Sequence, residues 1–313
     1  MAAMTDTRAP RPTDLVALVT FDDEVRENLA VTREHLTEPP SAARPLSAAI
    51  DQWLHLGRRT WISLAGREIR GIATARDLSA RHAWQIDALI DAEGSEGGRA
   101  IIGDLLRQAS MAAAEAEVTH LVLRTPEGSP AQEDAPRAGF RPVVLERLWM
   151  GRLTPPAPSA EAAVREATPA DTNAMFHVYS RSWPVEARQA LAMTLDEWTA
   201  LQEHRWIERG SVVVAEQAGQ VVAFARTSRT GQFTLTVTPG AAAAADALLG
   251  AVAARLEEAD RHLALVPASG VEEEAALRRA GLEPERTFAL FCKRIARPVR
   301  EEAYARAGVP ITG

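Results

Sequence analysis

The same module is written twice in this chain, and no other feature narrows the possible folds as far. In the first half, Trp61–Arg76 is an apolar run, a turn at Ala65-Gly66 and a second alternating run. Ser211–Arg226 repeats that layout around a turn at Ala218-Gly219. Further on, an apolar-faced helix over Ile101–Ala116 leads into a strand at His120–Leu123 and a helix ending in Arg137-Ala138-Gly139-Phe140. The second half answers with a helix over Ala243–Ala259, a strand at His262–Val266 and a helix ending in Arg279-Ala280-Gly281-Leu282. Equivalent glycines lie 153 residues apart at the hairpin and 142 apart at the Ala-Gly step, the drift that loop insertions and deletions leave. That period far exceeds the roughly 20–50 residues of solenoid repeats, so the expectation is two domains.

At 313 residues, each half is long enough to bury a core of its own. The net charge of -7 offers no basic footprint for nucleic acid. Lys293 is the sole lysine, which leaves no choice of lysines for Schiff-base chemistry. Cys292 is also alone, which excludes an intrachain disulfide and any multi-cysteine metal site; its apolar strand, Phe288–Cys292, reads as core. The seven histidines show no His-x-x-x-His pairing, so no metal is expected. Ser63, Ser95 and Ser211 lack the surroundings of a nucleophile elbow. With no apolar run of about 18 residues and no secretory h-region, a cytoplasmic protein without membrane contact is expected.

Met1–Pro10 reads as disordered, and Thr13-Asp14 as the cap of a helix carrying Leu15, Leu18 and Val19. Thr37–Pro45 is a proline-rich loop, Ser47–Leu56 regains helical spacing, Ala83–Ile90 is a third strand, and Val143–Met150 closes the first half. The Pro-rich stretch 153–161 is the linker. The second half restarts at Val164, with Thr168-Pro169-Ala170-Asp171 placing a cap residue and Pro where a helix begins. The boundaries expected are 12–152, 153–161 and 162–296, with a tail over 297–313 whose helix at Arg300–Ala307 would pack across the two domains.

This element order, with a helix opening straight after the third hairpin strand and a terminal helix-Ala-Gly-Phe/Leu-strand step, resembles the GNAT N-acetyltransferase superfamily. The resemblance covers about residues 12–152 and 162–296. It implies an α/β (α+β) fold: two tandem domains, each a mixed, mostly antiparallel sheet flanked by helices. It also implies acetyl-CoA as co-substrate, wedged between the fourth and fifth strands of a domain beside Leu89 and Ile90 in the first copy. The acceptor would be a small-molecule amine, and the oligomeric state a monomer acting as a pseudo-dimer or a homodimer.

The family's pyrophosphate loop, Gln/Arg-x-x-Gly-x-Gly/Ala, works because a helix N-terminus offers unpaired N–H groups to phosphate and small residues allow close approach. Aligned on Leu105-Leu106, the first copy's loop reads Gly97, Gly98, Arg99, Ala100, Ile101 and Ile102, and the bulky Ile102 departs from the pattern. The second copy has the common strand ending Val237-Thr238-Pro239, then Gly240, Ala241 and Ala242 in a loop about two residues short. Either copy, both or neither could hold the cofactor, and loop length favours the first.

Many members carry a tyrosine acid four residues before the glycine of the Gly-Phe step; here Ala135 and Leu277 stand there, and Tyr179 and Tyr304 are distant in sequence. For the base, Asp87 and then Asp91 are the candidates, four apart and therefore expected on one face of a strand. Phe233–Val237, the equivalent strand of the second copy, has no ionisable group. His177, Trp183, Trp198, His204 and Trp206 fall in the region that shapes the acceptor site. Two readings stand besides acyl transfer: an inactive CoA- or ligand-binding sensor of the same fold, and a purely structural interaction protein.

Overall fold

The computed structural model describes residues 6–22, 26–37, 58–92, 99–154, 161–203, 212–228 and 231–296. The expected helices at 47–56 and 300–307, most of the linker, Ser95, Gly97, Gly98, His204, Trp206 and Ser211 lie outside the described residues.

Each half opens on the same clamp. In β1 (Asp6–Arg8), Arg8 makes a two-pronged ion pair with Asp14 at 2.7 and 3.0 Å, and Asp14 closes a 3-10 turn by accepting from the Arg11 amide at 2.7 Å. In the second half, after β7 (Ala163–Glu166), Arg165 grips Asp171 with two bonds of 2.8 Å, and Thr168 N–H donates to Asp171 at 2.7 Å. The Arg165 hydrogen bonds, joined by those from Thr168, hold the Asp171 carboxyl well below the usual carboxylate range. Disorder over Met1–Pro10 is therefore corrected at Asp6–Arg8, which pairs antiparallel with the next strand. Its polar side chains hide a strand held by edge pairing and by the clamp.

The first half continues through β2 (Arg58–Ala65), β3 (Glu68–Asp77), β4 (Ala83–Asp91), β5 (His120–Pro126) and β6 (Arg141–Gly151). The second continues through β8 (Val212–Gln217), β9 (Gln220–Thr227), β10 (Gln232–Val237), β11 (His262–Pro267) and β12 (Glu283–Arg294). In the first hairpin the two turn residues are Gly66 and Arg67, one place later than expected, because Ala65 pairs with Glu68. The second turns on Ala218 and Gly219, both at positive φ, one of the two turn forms that match the strands' twist.

Helices α1 (Leu15–Asp22), α2 (Arg99–Glu115) and α3 (Ala131–Arg137) belong to the first half. The second half has α4 (Thr172–Ser182), α5 (Val185–Ala190), α6 (Leu195–Ala200), α7 (Ala242–Arg255) and α8 (Val271–Arg279). The repeated Ala-Gly step has one cause in both copies. Gly139 (φ +87°) and Gly281 (φ +82°) end α3 and α8 in the left-handed conformation, and the next amide, Phe140 or Leu282, bonds back to the carbonyl of Ala135 or Leu277.

The described strands form one sheet, in the order β1-β2-β3-β4-β5-β12-β6-β11-β10-β9-β8-β7. The last strand of each half crosses over: β12 pairs with β5, β6 pairs with β11, and β6 and β12 pair with each other. Each half's sheet is thus completed by the other. Cys292 is buried in β12, where burial pushes its thiol up to about 12.

Candidate active site at the strand forks

In both halves two neighbouring parallel strands start together and part. β4 and β5 pair only at Ala83–His120, Trp84–Leu121 and Gln85–Val122; β10 and β11 pair only at Gln232–Leu263 and Phe233–Ala264. Beyond those pairs each couple opens into a fork whose inner edge is backbone. The two forks differ in what stands inside them.

The first fork is filled by the chain itself. The Leu29 amide donates to Leu89 O at 2.8 Å, on β4, and the Val31 amide donates to Arg124 O at 2.8 Å, on β5. Asn28 bridges to Ile90; its Oδ1 accepts from Leu89 N–H at 2.9 Å and Ala30 N–H at 3.0 Å, and its Nδ2 donates to Asp87 O at 3.2 Å. Leu29 and Ala30 are buried in the core beneath α2. Leu89 and Ile90, expected beside cofactor, instead face residues 28–31. Ile101 and Ile102 are core residues as well; a Cβ on Gly71 would stand 2.5 Å from Ile101 Cγ2, so that glycine lets α2 lie against β3. Arg99 and Ala100 form the first backbone turn of α2.

Asp87 and Asp91 do not share a face. A β-bulge falls at Asp87, since Thr74 pairs with Ala88 and Ala75 with Ile86. One extra residue reverses the alternation of everything after it. Asp87 lies with Thr74, while Asp91 stands opposite Gly71 on the α2 side. Both Asp87 oxygens are engaged: Oδ2 accepts from Arg58 at 2.6 and 3.1 Å, and Oδ1 from the Thr74 hydroxyl at 2.5 Å. This buried carboxylate ties β4 to β2 and β3.

The second fork has a different interior. Val237 N–H donates to Glu273 Oε1 at 2.8 Å, and the Ser182 hydroxyl lies 2.6 Å from Val237 O, so both Val237 backbone groups face away from β9. Residues two apart on a strand point the same way, so the amide and carbonyl of Leu235 also face the fork, past the last pair with β11. On one side of this fork stands α8. It sends in the Glu273 carboxyl, which is 3% exposed and which burial raises to about 7. Glu273 is one helical turn before Leu277, the place where the expected tyrosine is missing. Gly270 makes room for it, because a Cβ there would meet Glu273 Oε2 at 2.6 Å.

Gly240, at φ +84°, donates to Glu272 at 2.6 Å, and Ala241 precedes the first turn of α7, where Ala242 is exposed.

On the other side a cavity of about 110 Å³ opens at the fork between Leu235, Thr236, Leu265 and Pro267. Tyr179, Trp183, Trp198 and Phe224 supply its aromatic wall, so two of the expected acceptor-region tryptophans do line it. Three of the five charged side chains that line it among the described residues come from the first half. Arg124 bonds Glu146 at 2.6 Å and Glu203 at 2.8 Å, while Arg33 bonds the same two carboxylates at 2.9 and 3.1 Å. Gln85 Nε2 also donates to Glu203, at 3.0 Å. Sequence reasoning missed Arg33, Arg124, Glu203, Arg226 and Glu273, because crossed strands bring them together from remote segments. Only the acidic run Glu272–Glu274 opening a helix was visible beforehand.

No family model matches the sequence, and no curated relative does either. Solved structures do match. A GCN5-related N-acetyltransferase from Sphaerobacter thermophilus is 20% identical, with a TM-score of 0.52, over 94% of this chain and 96% of that one. A tandem GNAT protein from the clavulanic acid biosynthesis pathway is 13% identical, with a TM-score of 0.47, over 94% of this chain and all of that one. The first likeness shows the fold: a tandem GNAT-type architecture in one mixed, mostly antiparallel sheet flanked by helices.

Proposed function

We propose that this chain is an N-acyltransferase with one working site, at the fork between β10 and β11. The observation that carries the reading is the contrast between the forks: the first is closed by residues 28–31, while the second opens onto a cavity beside the backbone of Leu235. Acetyl-CoA would enter as a substitute strand. The Leu235 amide, which faces the fork, would polarise the thioester carbonyl as a fixed dipole aimed where negative charge develops. The start of α7 would receive the pyrophosphate on its free amides. A neutral amine in the cavity attacks the carbonyl carbon, the C–S bond breaks, the amine loses a proton to water, and the thiolate takes one from Glu273. At about 7, that carboxyl is protonated in roughly half the molecules at neutral pH, which suits an acid.

A second reading, binding without turnover, has its own support: Leu277 replaces the expected acid, and Glu272 already occupies the Gly240 amide. Calorimetry with acetyl-CoA and a thiol-capture assay for released CoA separate the two, and the buried Cys292 keeps the background of that assay low. Amine-dependent CoA release above background supports transfer; binding without release supports the sensor. No binding at about 1 mM ligand refutes both. Ala242→Glu, a charge at an exposed helix start, should weaken acetyl-CoA binding about ten-fold or more, because it repels phosphate where the helix end would attract it. Arg99→Glu, at the matching place in the filled copy, should leave binding unchanged.

A further inference from the structure

We propose that the cavity at the second fork is a carboxylate site, with the guanidinium of Arg226 and the hydroxyl of Thr234 as the groups that hold the anion. The inference rests on the acyl-transfer reading only in making this ligand the acceptor, which would then be an amino-carboxylate; the binding claim stands apart from it.

Among the described residues, five charged side chains line the cavity: Arg33, Arg124, Arg226, Glu146 and Glu203. Both carboxylates are consumed by Arg33 and Arg124, which grip them in a closed ring of four ion pairs between 2.6 and 3.1 Å. Of these five, Arg226 is the cation left over. It donates to the neutral Gln202 Oε1 and stands 5.1 Å from the Trp198 ring centre and 5.2 Å from that of Phe224. Rings and an amide stabilise a guanidinium, but neither neutralises it. Burial, with the charge on Arg33 behind it, lowers Arg226 to about 10, so it stays charged at neutral pH. Arg226 is half-buried, so its charge is only partly hydrated and has no counter-anion on this wall, and a ligand that supplies the anion improves that balance.

Thr234 adds a second, independent pointer. It is the register partner of Arg226 across β9 and β10, so the two side chains rise from the same face side by side. Its Oγ1 is buried with no hydrogen-bond partner among the described residues. A guanidinium fork beside an unused hydroxyl matches the two oxygens of a carboxylate. Phosphate fits less well, since a dianion needs a second free cation and the other two arginines are spent. The aromatic side chains opposite would pack against the ligand's apolar part.

The probes are benzoate, benzylamine and phenylglycine, titrated calorimetrically into the wild-type chain and into Arg226→Gln, Arg226→Lys and Thr234→Val. Benzoate and phenylglycine should bind while benzylamine, with the same ring and the opposite charge, should not. Arg226→Gln should weaken benzoate about ten-fold or more, Arg226→Lys less, and Thr234→Val several-fold. Arg226→Gln should also melt no lower than the wild type, because it removes an uncompensated charge; a purely structural ion pair would move the melt down. Benzylamine binding as tightly as benzoate, unchanged benzoate affinity in Arg226→Gln, or no benzoate binding at about 10 mM each overturns the proposal. Benzoate binding without any acetylation of phenylglycine keeps the carboxylate site and removes its role as the acceptor site; the acyl-transfer reading itself falls only with acetyl-CoA binding and amine-dependent CoA release.

Discussion

Replacing Glu273 with glutamine isolates one carboxyl as a source of pH-dependent stability. The side chain is 3% exposed, and burial holds it at about 7, against an ordinary value of 4.5. The substituted glutamine would keep the side-chain oxygen that Val237 N–H needs, so the hydrogen bond survives and only the titration is lost. Between those two values the folded chain retains a proton that the unfolded chain has released. The stabilisation is therefore complete below 4.5 and is lost as pH rises through 7. A gap of about 2.5 pH units at about 1.4 kcal/mol each bounds the loss near 3.5 kcal/mol. Between about pH 5 and pH 8 the part that falls in the window is about 2.5 kcal/mol. His120, lowered to about 4 by burial and then by Arg294, works in the opposite direction over the same window, but it is present in both proteins and cancels. Urea unfolding of the wild type and Glu273→Gln at the two pH values gives the difference directly. The wild type should lose about 2 to 3 kcal/mol more than the variant on going to the higher pH. Parallel behaviour within about 0.5 kcal/mol would show that Glu273 is ionised in the fork, and its role as an acid would fall with that.

Two further outcomes follow from the geometry. Asn28→Ala removes the side chain that serves Leu89 N–H, Ala30 N–H and Asp87 O, and should cost about 2–4 kcal/mol in urea unfolding; a loss under about 0.5 kcal/mol would mean the filled fork does not need that anchor. Separating the halves at the linker, as 1–154 and 161–313, should leave each unable to fold alone, because β6 and β12 are completed by the opposite half. The two fragments should give native circular dichroism only when mixed, and a fragment folding cooperatively by itself would refute this.

The duplicated elements were legible because their signals are local. Hydrophobic alternation marks the hairpins, and the left-handed cap marks the Ala-Gly steps. The bulge at Asp87 was not legible, because nothing in the string from Trp84 to Asp91 announces an extra residue, and that one residue undid the pairing of the two aspartates. β1 was hidden for a related reason: Asp6–Arg8 has no apolar pattern, and its strand depends on Ile62–Leu64 far along the chain. Loop length pointed to the first copy as the cofactor site. The site proposed above lies in the other copy, because the first fork is taken by residues 28–31, and no loop motif encodes where they travel.

The two halves have parted in a way that makes each serve the other. Positions 157 residues after Asn28–Val31, the spacing that separates Arg8 from Arg165, fall at Val185–Arg188. There the second half forms the first turn of α5 and places no strand in its fork. In the first half the same stretch lies between β4 and β5 and then continues to Arg33, whose guanidinium reaches Glu146 and Glu203 in the cavity of the other half. Filling the first fork and building the second cavity are therefore one structural event. With Arg33 and Arg124 taking both carboxylates, Arg226 is left, among the described residues of that wall, as the cation without an anion. On the proposed reading, a ligand that restores the balance must bring its own negative charge, and the residues that close the first fork lead directly to the arginine that leaves Arg226 in need of it.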